Sequence, residues 1–566
     1  MPLSRQQRQR LVRVAQGLEP ADLALTGGTL VCPHTRETFQ ADLLIAEGHI
    51  AALGQGFALE THEVHGAYIS PGFTDGHIHI ESSMLTPKRF AEAVIPHGTT
   101  TVVAEPHEIV NVLGLQGMEF MLEDGQSSGL NFFMSVPSCV PASPFEQGGA
   151  HIGPNEIARA LGFHNVLGLA EMMNYPGVLN LDPEVWDILD CAGHAYRMDG
   201  HAAGLSGRSL MAYVCAGFHS DHEATTADEA LERLRLGLWL MVREGSAAKN
   251  LSDLIPVLMA QPRRAMIVSD DVEVLELLEL GHLDRSLRKA VAYGLDPLYA
   301  LSLVTCNPAE YWGLHDLGFL GPGARADMVV LEDLQHFKVL KTFVGGRCLY
   351  EHTALKLPEP HVHPKDTFPK TVHLGSDWSL AQFDIDPQWP ILEALPDQIT
   401  TRKLSPELHA TDINILVVAE RHNPERTEYS SAWVRGMGLT RGALGSTVLH
   451  DSHNLILVGT DTEDLRLCGQ TIAEMGGGVA FVSEGKVLAR IPLTLAGLMG
   501  TESAEKVAQQ QKELEHHLRE RGCALPHPLT TLSFLGLTVI PSLKLTPKGL
   551  FDVDALTWIP RSGQPG

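Results

Sequence analysis

Two histidines separated by a single residue are the first side chains whose spacing suggests chemistry. His77 and His79 lie in the run Pro71-Gly-Phe-Thr-Asp-Gly-His-Ile-His-Ile-Glu-Ser-Ser-Met84. Side chains two positions apart on an extended strand point to the same side, so both imidazoles can bind one metal ion, or one ion each of a close pair. The Pro-Gly pair predicts a turn into the strand, and Asp75 is suited to orient a ligand. An isolated His-x-His pair is more often a surface or core feature, so the interpretation depends on the rest of the chain.

The elements that must position these histidines follow as eight strand–helix units, the number that a (β/α)₈ barrel requires. The strands are predicted near 69–74, 99–104, 131–136, 166–171, 197–201, 218–222, 238–242 and 265–270. Helical patterns between them include 87–96, 206–215, 226–236 and 284–293.

Chemistry in such barrels gathers at the carboxyl ends of the strands. The residues at those ends that can bind a metal are His77, His79, Glu171, His201, His222 and Asp270. Four histidines and two carboxylates at one rim suit a pair of divalent transition ions, with Glu171 able to bridge them. A single histidine at a strand end is more often a core residue, whereas six such residues at five strand ends favour a metal centre.

A small β domain made from two separated segments is expected to carry the barrel. Strand-like runs with Gly-containing turns occur over 23–53 and again over 326–347. The predicted fold class is therefore α/β: a (β/α)₈ metal-dependent hydrolase barrel inserted in a small β domain, plus a C-terminal α/β domain. The expected limits are 1–66 (a short amphipathic helix and half of the β domain), 67–322 (barrel), 323–355 (the other half), 356–375 (linker) and 376–566 (C-terminal domain).

The C-terminal part contains two further histidine patterns. His361 and His363 lie among prolines, which favours a connector over a metal site. His450-Asp-Ser-His-Asn454 is either a wall of the active site, an extra metal site, or a tight polar turn between strands. Nearby, 413–418 and 455–459 are expected to be buried strands, and 504–521 an amphipathic helix.

The net charge, the apolar segments and the cysteines of the chain argue against several classes of function and location. The formal charge of −26 argues against nucleic acid and against an anionic membrane surface as partners, because both require a basic face. No segment is long and apolar enough to be a membrane span, and the Arg-rich residues 1–18 do not resemble a signal peptide. Eight scattered cysteines without a C-x-x-C pair predict reduced thiols and a cytoplasmic location.

Several motifs together resemble the bacterial adenine deaminases of the amidohydrolase superfamily. Besides Pro71–Met84, they are His97–Ile109 with its Glu105-Pro-His-Glu108, Pro137–Pro141, Glu171–Val178, Asp199–Gly207, Ser220–Glu223, Arg243–Asn250, Ser269–Asp271, Gly281–Asp284, His450–Asn454 and Gly476–Gly478. The resemblance covers nearly the whole chain. It implies a deaminase with two divalent ions, Mn or Fe, in which Glu171 stands where many superfamily members carry a carboxylated lysine. Judged by ligand type alone, histidine and carboxylate donors are also compatible with Zn.

The expected reaction is the hydrolysis of adenine to hypoxanthine and ammonia by a hydroxide bridging the two ions. Asp270 is expected to take the proton from the nucleophile and pass it to the leaving amine, with Glu223 as acid towards a ring nitrogen. Glu81 and Asp271 are the expected substrate-binding residues. A small-molecule purine substrate and a homo-oligomer are the expected partners.

Two alternative functions remain open from the sequence. Asp271 is followed by Val272-Glu-Val-Leu275 in place of the family's usual Arg and polar-Pro segment, which leaves room for another heterocycle or a cyclic amide as substrate. A non-catalytic scaffold with the same barrel is the alternative from a different class, although such a scaffold would be expected to lose metal ligands.

Overall fold

The computed structural model describes residues 3–246, 248–358, 369–396, 398–406, 412–425 and 428–561. The N-terminal segment contains α1 (Arg5–Ala15), β1 (Ala21–Thr26), β2 (Thr29–Cys32), β3 (Glu37–Gln40), β4 (Leu43–Ala46), β5 (His49–Leu53), β6 (Ala58–Glu63) and β7 (Tyr68–Pro71). The strands that follow are β8 (Phe73–His79), β9 (Thr99–Ala104), β10 (Asn131–Val136), β11 (Val166–Met172), β12 (Arg197–Gly200), β13 (Ser220–Asp221), β14 (Trp239–Arg243), β15 (Ala265–Val268) and β16 (Asp270–Asp271).

Helices alternate with these strands. They are α2 (Pro87–Val94), α3 (His107–Leu113), α4 (Leu115–Gln126), α5 (Pro154–Leu161), α6 (Tyr175–Leu179), α7 (Pro183–Ala192), α8 (Gly207–Cys215), α9 (Ala227–Arg235), α10 (Leu251–Leu258), α11 (Val274–Leu280), α12 (Leu283–Ala292), α13 (Pro297–Ser302) and α14 (Cys306–Trp312). The predicted helices at 87–96, 206–215, 226–236 and 284–293 are confirmed to within about two residues at each end.

The remainder of the chain is richer in sheet. Its strands are β17 (Met328–Leu331), β18 (Val339–Val344), β19 (Arg347–Glu351), β20 (Ala354–Leu355), β21 (Ile391–Ala394), β22 (Thr401–Leu404), β23 (Ile413–Ala419), β24 (Tyr429–Arg435), β25 (Ala443–Ser446), β26 (Leu455–Gly459), β27 (Gly478–Ser483), β28 (Lys486–Pro492), β29 (Leu543–Thr546), β30 (Gly549–Asp552) and β31 (Thr557–Trp558). Its helices are α15 (Thr462–Met475), α16 (Ala504–Glu520) and α17 (Pro528–Ser533). Short 3₁₀ turns occupy Ile80–Ser83, Ile95–His97 and Trp378–Leu380.

Eight parallel strands form the predicted barrel, which is confirmed. The sheet β12-β11-β10-β9-β8-β16 and the sheet β13-β14-β15 adjoin at both edges. At one edge the amide of His219 donates to the carbonyl of Met198 over 3.0 Å. At the other edge β15 leads through Ser269 into β16, where Asp270 is in register with Ile78. β15 and β16 therefore act as the eighth strand, and its polar end lies directly beside the His-x-His strand.

The small β domain is built from two separated segments, through the sheets β5-β4-β1-β6 and β20-β19-β18-β17-β7-β2-β3. The strand predicted near 69–74 is in fact two strands. β7 ends at Pro71 and pairs with β17, and the barrel strand β8 begins at Phe73. Gly72 lies between them because a Cβ there would come within 2.2 Å of Thr100 Oγ1. The predicted domain limits remain predictions.

The C-terminal part contains an eight-stranded sheet of order β22-β21-β24-β23-β26-β25-β27-β28 and a small sheet of order β29-β30-β31. It lies against the barrel: the amide of Gly500 donates to the carbonyl of Met84 over 2.9 Å. The strands expected at 413–418 and 455–459 and the helix at 504–521 are confirmed. His361 and His363 lie outside the described residues. Within the described part of the chain, no helix has the length and apolarity needed to cross a membrane.

Candidate metal centre

The first barrel strand, β8, and the eighth, formed by β15 and β16, bring His77, His79 and Asp270 together at the carboxyl end of the barrel. All three side chains are buried. His77 Nε2 lies 3.5 Å and His79 Nε2 lies 3.2 Å from the same oxygen, Asp270 Oδ1. Asp270 adopts a φ of +57°, a conformation that is strained for a residue with a side chain and that concentrates at functional sites. The local backbone thus turns the Asp270 carboxylate towards the two imidazoles.

Glu171, at the end of β11, lies between the two halves of the centre. Its Oε2 is 2.7 Å from His201 Nδ1 and 2.8 Å from His222 Nε2. Its other oxygen, Oε1, is 3.7 Å from His79 Nε2. One carboxylate therefore contacts histidines from both pairs, which is the arrangement that a bridging ligand needs.

The carboxylates of the centre are held in their ionised form. Burial alone would raise the pKa of Glu171, but His201 and His222 lower it well below its ordinary value. Burial would likewise raise the pKa of Asp270, but the adjacent imidazoles of His77 and His79 lower it well below its ordinary value. Two ionised carboxylates among four imidazoles form a ligand set that attracts divalent cations.

The donor atoms fit such a cation. Two ligands at about 2.1 Å from one tetrahedral or octahedral ion lie about 3.0 to 3.4 Å apart, close to the 3.2 and 3.5 Å separations around Asp270 Oδ1. His77 Nε2 is buried and has no hydrogen-bond partner among the described residues. His79 Nδ1 lies 3.1 Å from the Glu105 carbonyl, so Nδ1 carries the proton and Nε2 keeps its lone pair.

Asp199 and two hydroxyl groups form a network beside the Nδ1 nitrogen of His77. Asp199 Oδ2 lies 3.9 Å from His77 Nδ1. The other oxygen, Oδ1, accepts hydrogen bonds from Ser220 Oγ at 2.8 Å and from the Tyr311 hydroxyl. This network fixes the Asp199 carboxylate beside the His77 ring.

The second barrel strand, β9, leads into residues of the centre that were not among the predicted site residues. Glu105 follows directly after β9, and its Oε2 lies 3.9 Å from His77 Nδ1. His107 and Glu108 begin α3, and His107 Nδ1 lies 3.8 Å from Glu171 Oε1. The sequence contains the signal for them, because Glu105 stands at the end of the second barrel strand, just as the predicted ligands stand at the ends of strands one, four, five, six and eight.

A cavity of about 420 Å³ opens in front of the centre, a volume typical of small-molecule sites. Its polar wall includes His79, Glu171, His201, His222, Glu223, Arg243, Asp270 and Asp271. Arg243 Nη1 contacts Glu223 and lies 3.4 Å from Asp270 Oδ2, a link that the sequence analysis missed. Glu81 is buried and is not among the described residues that line the cavity.

The C-terminal part forms the opposite wall of this cavity. Its apolar residues there are Ile399, Phe534, Leu537, Val539, Ile540 and Pro541. His450 and Asp451 also line the cavity, and the His450 ring stacks on Phe534 with centroids 4.3 Å apart. The 450–454 segment is thus both a turn before β26 and a part of the wall, which combines two of its three interpretations.

Comparisons with known proteins match both parts of the chain. The amidohydrolase family model matches residues 68–349, and the model described as the adenine deaminase C-terminal domain matches residues 395–557. An adenine deaminase of Deinococcus deserti is 55% identical over 99% of each chain. One from Archaeoglobus fulgidus is 42% identical over 96% of each chain.

The chain belongs to the adenine deaminase family. The resemblance described from the sequence motifs is thereby confirmed, and membership of the amidohydrolases implies divalent metal ions. In this adenine deaminase family member, the amidohydrolase match contains the barrel, and the C-terminal match contains the residues of the opposite cavity wall. Both family domains therefore border the same cavity.

Proposed function

We propose that this chain hydrolyses adenine to hypoxanthine and ammonia. The observation that carries the proposal is that five of the six proposed metal ligands line one cavity, in a chain similar to adenine deaminases over its full length. A small purine base suits a cavity with one polar and one apolar wall, because the ring edge and the ring face need different surroundings.

Two divalent ions would be held by the residues around Glu171. His77, His79 and Asp270 would hold one ion, and His201 and His222 the other, with Glu171 shared between them. Mn or Fe is proposed, and Zn suits the same donors. When bound, such ions lower the pKa of water and supply hydroxide at neutral pH.

Asp270 is proposed to handle the proton of the nucleophile. In the balanced reaction the oxygen of water bonds to C6 of adenine and the bond from C6 to the amino nitrogen breaks. One proton of the water ends on the ring nitrogen and the other on the leaving group, which departs as ammonia. Asp270 lines the cavity and is ionised, so it can accept the proton and return it to the amine.

Glu223 remains the proposed acid towards the ring nitrogen. Its Oε1 lies 3.5 Å from His222 Nε2 and contacts Arg243. Because Arg243 also reaches Asp270, one guanidinium fixes the separation of the two carboxylates that would move protons.

Asp271 and Glu81 take different positions with respect to the substrate. Asp271 lines the cavity and accepts a hydrogen bond from Ser82, and it is the proposed hydrogen-bond partner of the purine. Glu81 accepts the amide proton of Ile109 over 3.2 Å. We therefore assign Glu81 to positioning α3, which carries His107 and Glu108, in place of a direct contact with the purine.

The unusual segment after Asp271 packs against the C-terminal part. Glu273 Oε2 accepts from Gln511 Nε2 over 3.2 Å, and Glu273 Oε1 accepts from the Thr530 hydroxyl. Val272 is buried. This departure from the family pattern is used in packing against the C-terminal part.

The test replaces Glu171 by Ala. We expect loss of both bound ions and at least a 10³-fold fall in kcat/KM for adenine, with an unchanged circular dichroism spectrum. Elemental analysis and an assay of adenine against guanine, cytosine and hydantoin measure the two effects. The exposed Glu184→Ala variant is the matched control. Normal adenine turnover by Glu171→Ala, or a preference for another compound of the panel, would contradict the proposal.

A cytoplasmic location and self-association remain proposals. The first agrees with eight free thiols, all of them within the described residues. Size-exclusion chromatography with light scattering would measure the second.

A further inference from the structure

Four side chains beside the metal centre form a second group of donors, two from the barrel and two from the C-terminal part. They are His107 and Glu108 at the start of α3, and His450 and Asp451 in the turn before β26. We propose that this interdomain cluster binds a further divalent transition ion, in addition to the two ions of the proposed catalytic centre.

The donor atoms of His107, Glu108 and Asp451 lie within 4.8 Å of one another, and His450 joins them through the same Glu108 side chain. Glu108 Oε1 is 3.2 Å from His107 Nε2 and 2.6 Å from His450 Nδ1. Asp451 Oδ1 is 3.7 Å from His107 Nε2 and 3.9 Å from His450 Nδ1. These separations bracket the value of about 3.0 to 3.4 Å for two ligands of one ion.

A neighbouring histidine fixes Glu108 with one oxygen free. The amide of Leu449 donates to His453 Nδ1 over 3.3 Å, so Nδ1 is the acceptor nitrogen and Nε2 carries the proton. His453 Nε2 consequently donates to Glu108 Oε2. This leaves Glu108 Oε1 as the oxygen that faces the cluster, as expected for a ligand that is oriented by its neighbours.

The cluster also contains buried polar atoms that have no partner in the described part of the chain. Glu108 Oε1 and Asp451 Oδ2 have no hydrogen-bond partner among the described residues, although the two side chains are 1% and 2% exposed. The 2.6 Å contact with His450 Nδ1 lacks hydrogen-bond geometry. Buried carboxylate oxygens without partners are costly unless a cation compensates them.

His107 separates this cluster from the catalytic centre. Its Nδ1 faces the proposed catalytic centre and lies 3.4 Å from Glu105 Oε1 and 3.8 Å from Glu171 Oε1. Its Nε2 faces Glu108 and Asp451. The two nitrogens of one ring thus face different groups of side chains, and the further ion would not replace either catalytic ion.

The donor set indicates the class of ion. Two imidazole nitrogens and two carboxylate oxygens suit Mn²⁺, Fe²⁺ or Zn²⁺. The two imidazoles make the site a poor one for Ca²⁺ or Mg²⁺, because these ions prefer oxygen ligands. An ion there would join the barrel to the C-terminal part, because each part supplies two of the four ligands.

Metal content per chain tests the inference. The full-length protein is stripped with a chelator, reloaded with Mn²⁺, freed of excess metal and assayed by elemental analysis. We expect about one equivalent less in the double variant His450→Ala/Asp451→Asn than in the unsubstituted protein. The Glu171→Ala variant should keep this ion while losing the other two, so that failure of the proposed catalytic centre and failure of the further site give different results.

Crystallography and controls complete the test. Anomalous scattering at the Mn edge should show a peak about 2.1 to 2.3 Å from His450 Nδ1 in the unsubstituted protein, a result that does not depend on whether the double variant folds. The exposed His516→Ala variant should retain the full metal content. Equal metal content in the unsubstituted protein and the double variant, or a map without the peak, would overturn the site. A raised KM for adenine in that case would assign the cluster to purine binding.

Discussion

At the scale of single residues, Lys544 shows how a side chain outside the metal centre can shape it. Its amine is fully buried and donates to the carbonyl oxygens of Phe534 at 2.7 Å and Ile399 at 3.0 Å, two residues of the cavity wall. Burial lowers the pKa of Lys544 to about 7, against the opposing effect of Glu146. A neutral amine has two N–H groups, which equals the number of carbonyl acceptors.

The lowered pKa of Lys544 predicts that its contribution to stability depends on pH. The pKa of Lys544 in the folded protein lies below the unfolded value of about 10.4, so the unfolded chain binds more protons between about pH 7 and pH 10. The contribution of Lys544 therefore rises with pH in this window, by at most about 1.4 kcal/mol per pH unit. We expect the Tm of the unsubstituted protein to exceed that of Lys544→Met by more at pH 9.5 than at pH 7.

The matched control for this experiment is Lys548→Met, because the Lys548 side chain is exposed and lies in the adjacent turn. It should change Tm little at either pH, because exposed substitutions change stability by about 0.5 kcal/mol or less. A difference between the unsubstituted protein and Lys544→Met that stays constant or shrinks as pH rises would contradict the assignment.

At the scale of elements, α9 holds two ligand-bearing strand ends in place. Its Arg233 is fully buried and donates through Nε to Asp221 Oδ2 and through Nη2 to the Ala202 carbonyl, both over 2.8 Å. Asp221 precedes His222, and Ala202 follows His201. The helix itself is fixed by a capping box between Thr226 and Glu229.

Arg233→Met should therefore weaken both the fold and the metal centre. Removing one partner of a buried ion pair costs about 3 to 5 kcal/mol, because the other charge stays buried and uncompensated. We expect a lower Tm and a weaker affinity for Mn²⁺, measured by calorimetry and by chelator competition.

The exposed Arg235→Met on the same helix is the control and should leave Tm and metal affinity nearly unchanged. Equal Mn²⁺ affinity in Arg233→Met and the unsubstituted protein would show that α9 does not position the histidines.

At the scale of the whole molecule, the cavity exists only where the barrel and the C-terminal part meet. The barrel supplies the metal-binding side, and the C-terminal part supplies the apolar side, where Phe534 packs flat on His450. The apolar wall is the surface against which a purine face would stack.

Phe534→Ala should consequently raise the KM for adenine by up to about tenfold, since loss of an aromatic contact costs about 0.5 to 1.5 kcal/mol. Steady-state kinetics on the Mn²⁺-loaded protein measures this effect. Leu535→Ala is the matched control, because Leu535 is buried next in sequence but does not line the cavity. It should lower Tm without changing KM, and a similar rise of KM in both variants would argue against a specific role for the Phe534 ring.

The strands and helices of the barrel could be predicted because each depends on a local hydrophobic pattern. The strand-end rule collected the six proposed ligands for the same reason, since parallel strands in a barrel end at one rim. Residues 68–79 were harder to assign, because one continuous extended segment contains two strands from different sheets, separated only at Gly72. Pairing partners decide that division, and they lie far away in sequence.

The sequence by itself determined the barrel, the six ligand types and the family, because these depend on periodicity, on strand ends and on motifs that are read locally. Only the tertiary structure decided which side chains from distant segments meet. Arg243 joins Glu223 to Asp270, Lys544 holds the cavity wall, and His453 reaches Glu108 across 345 positions of sequence. Such contacts are set by how the barrel and the C-terminal part pack together, and no local pattern encodes that packing.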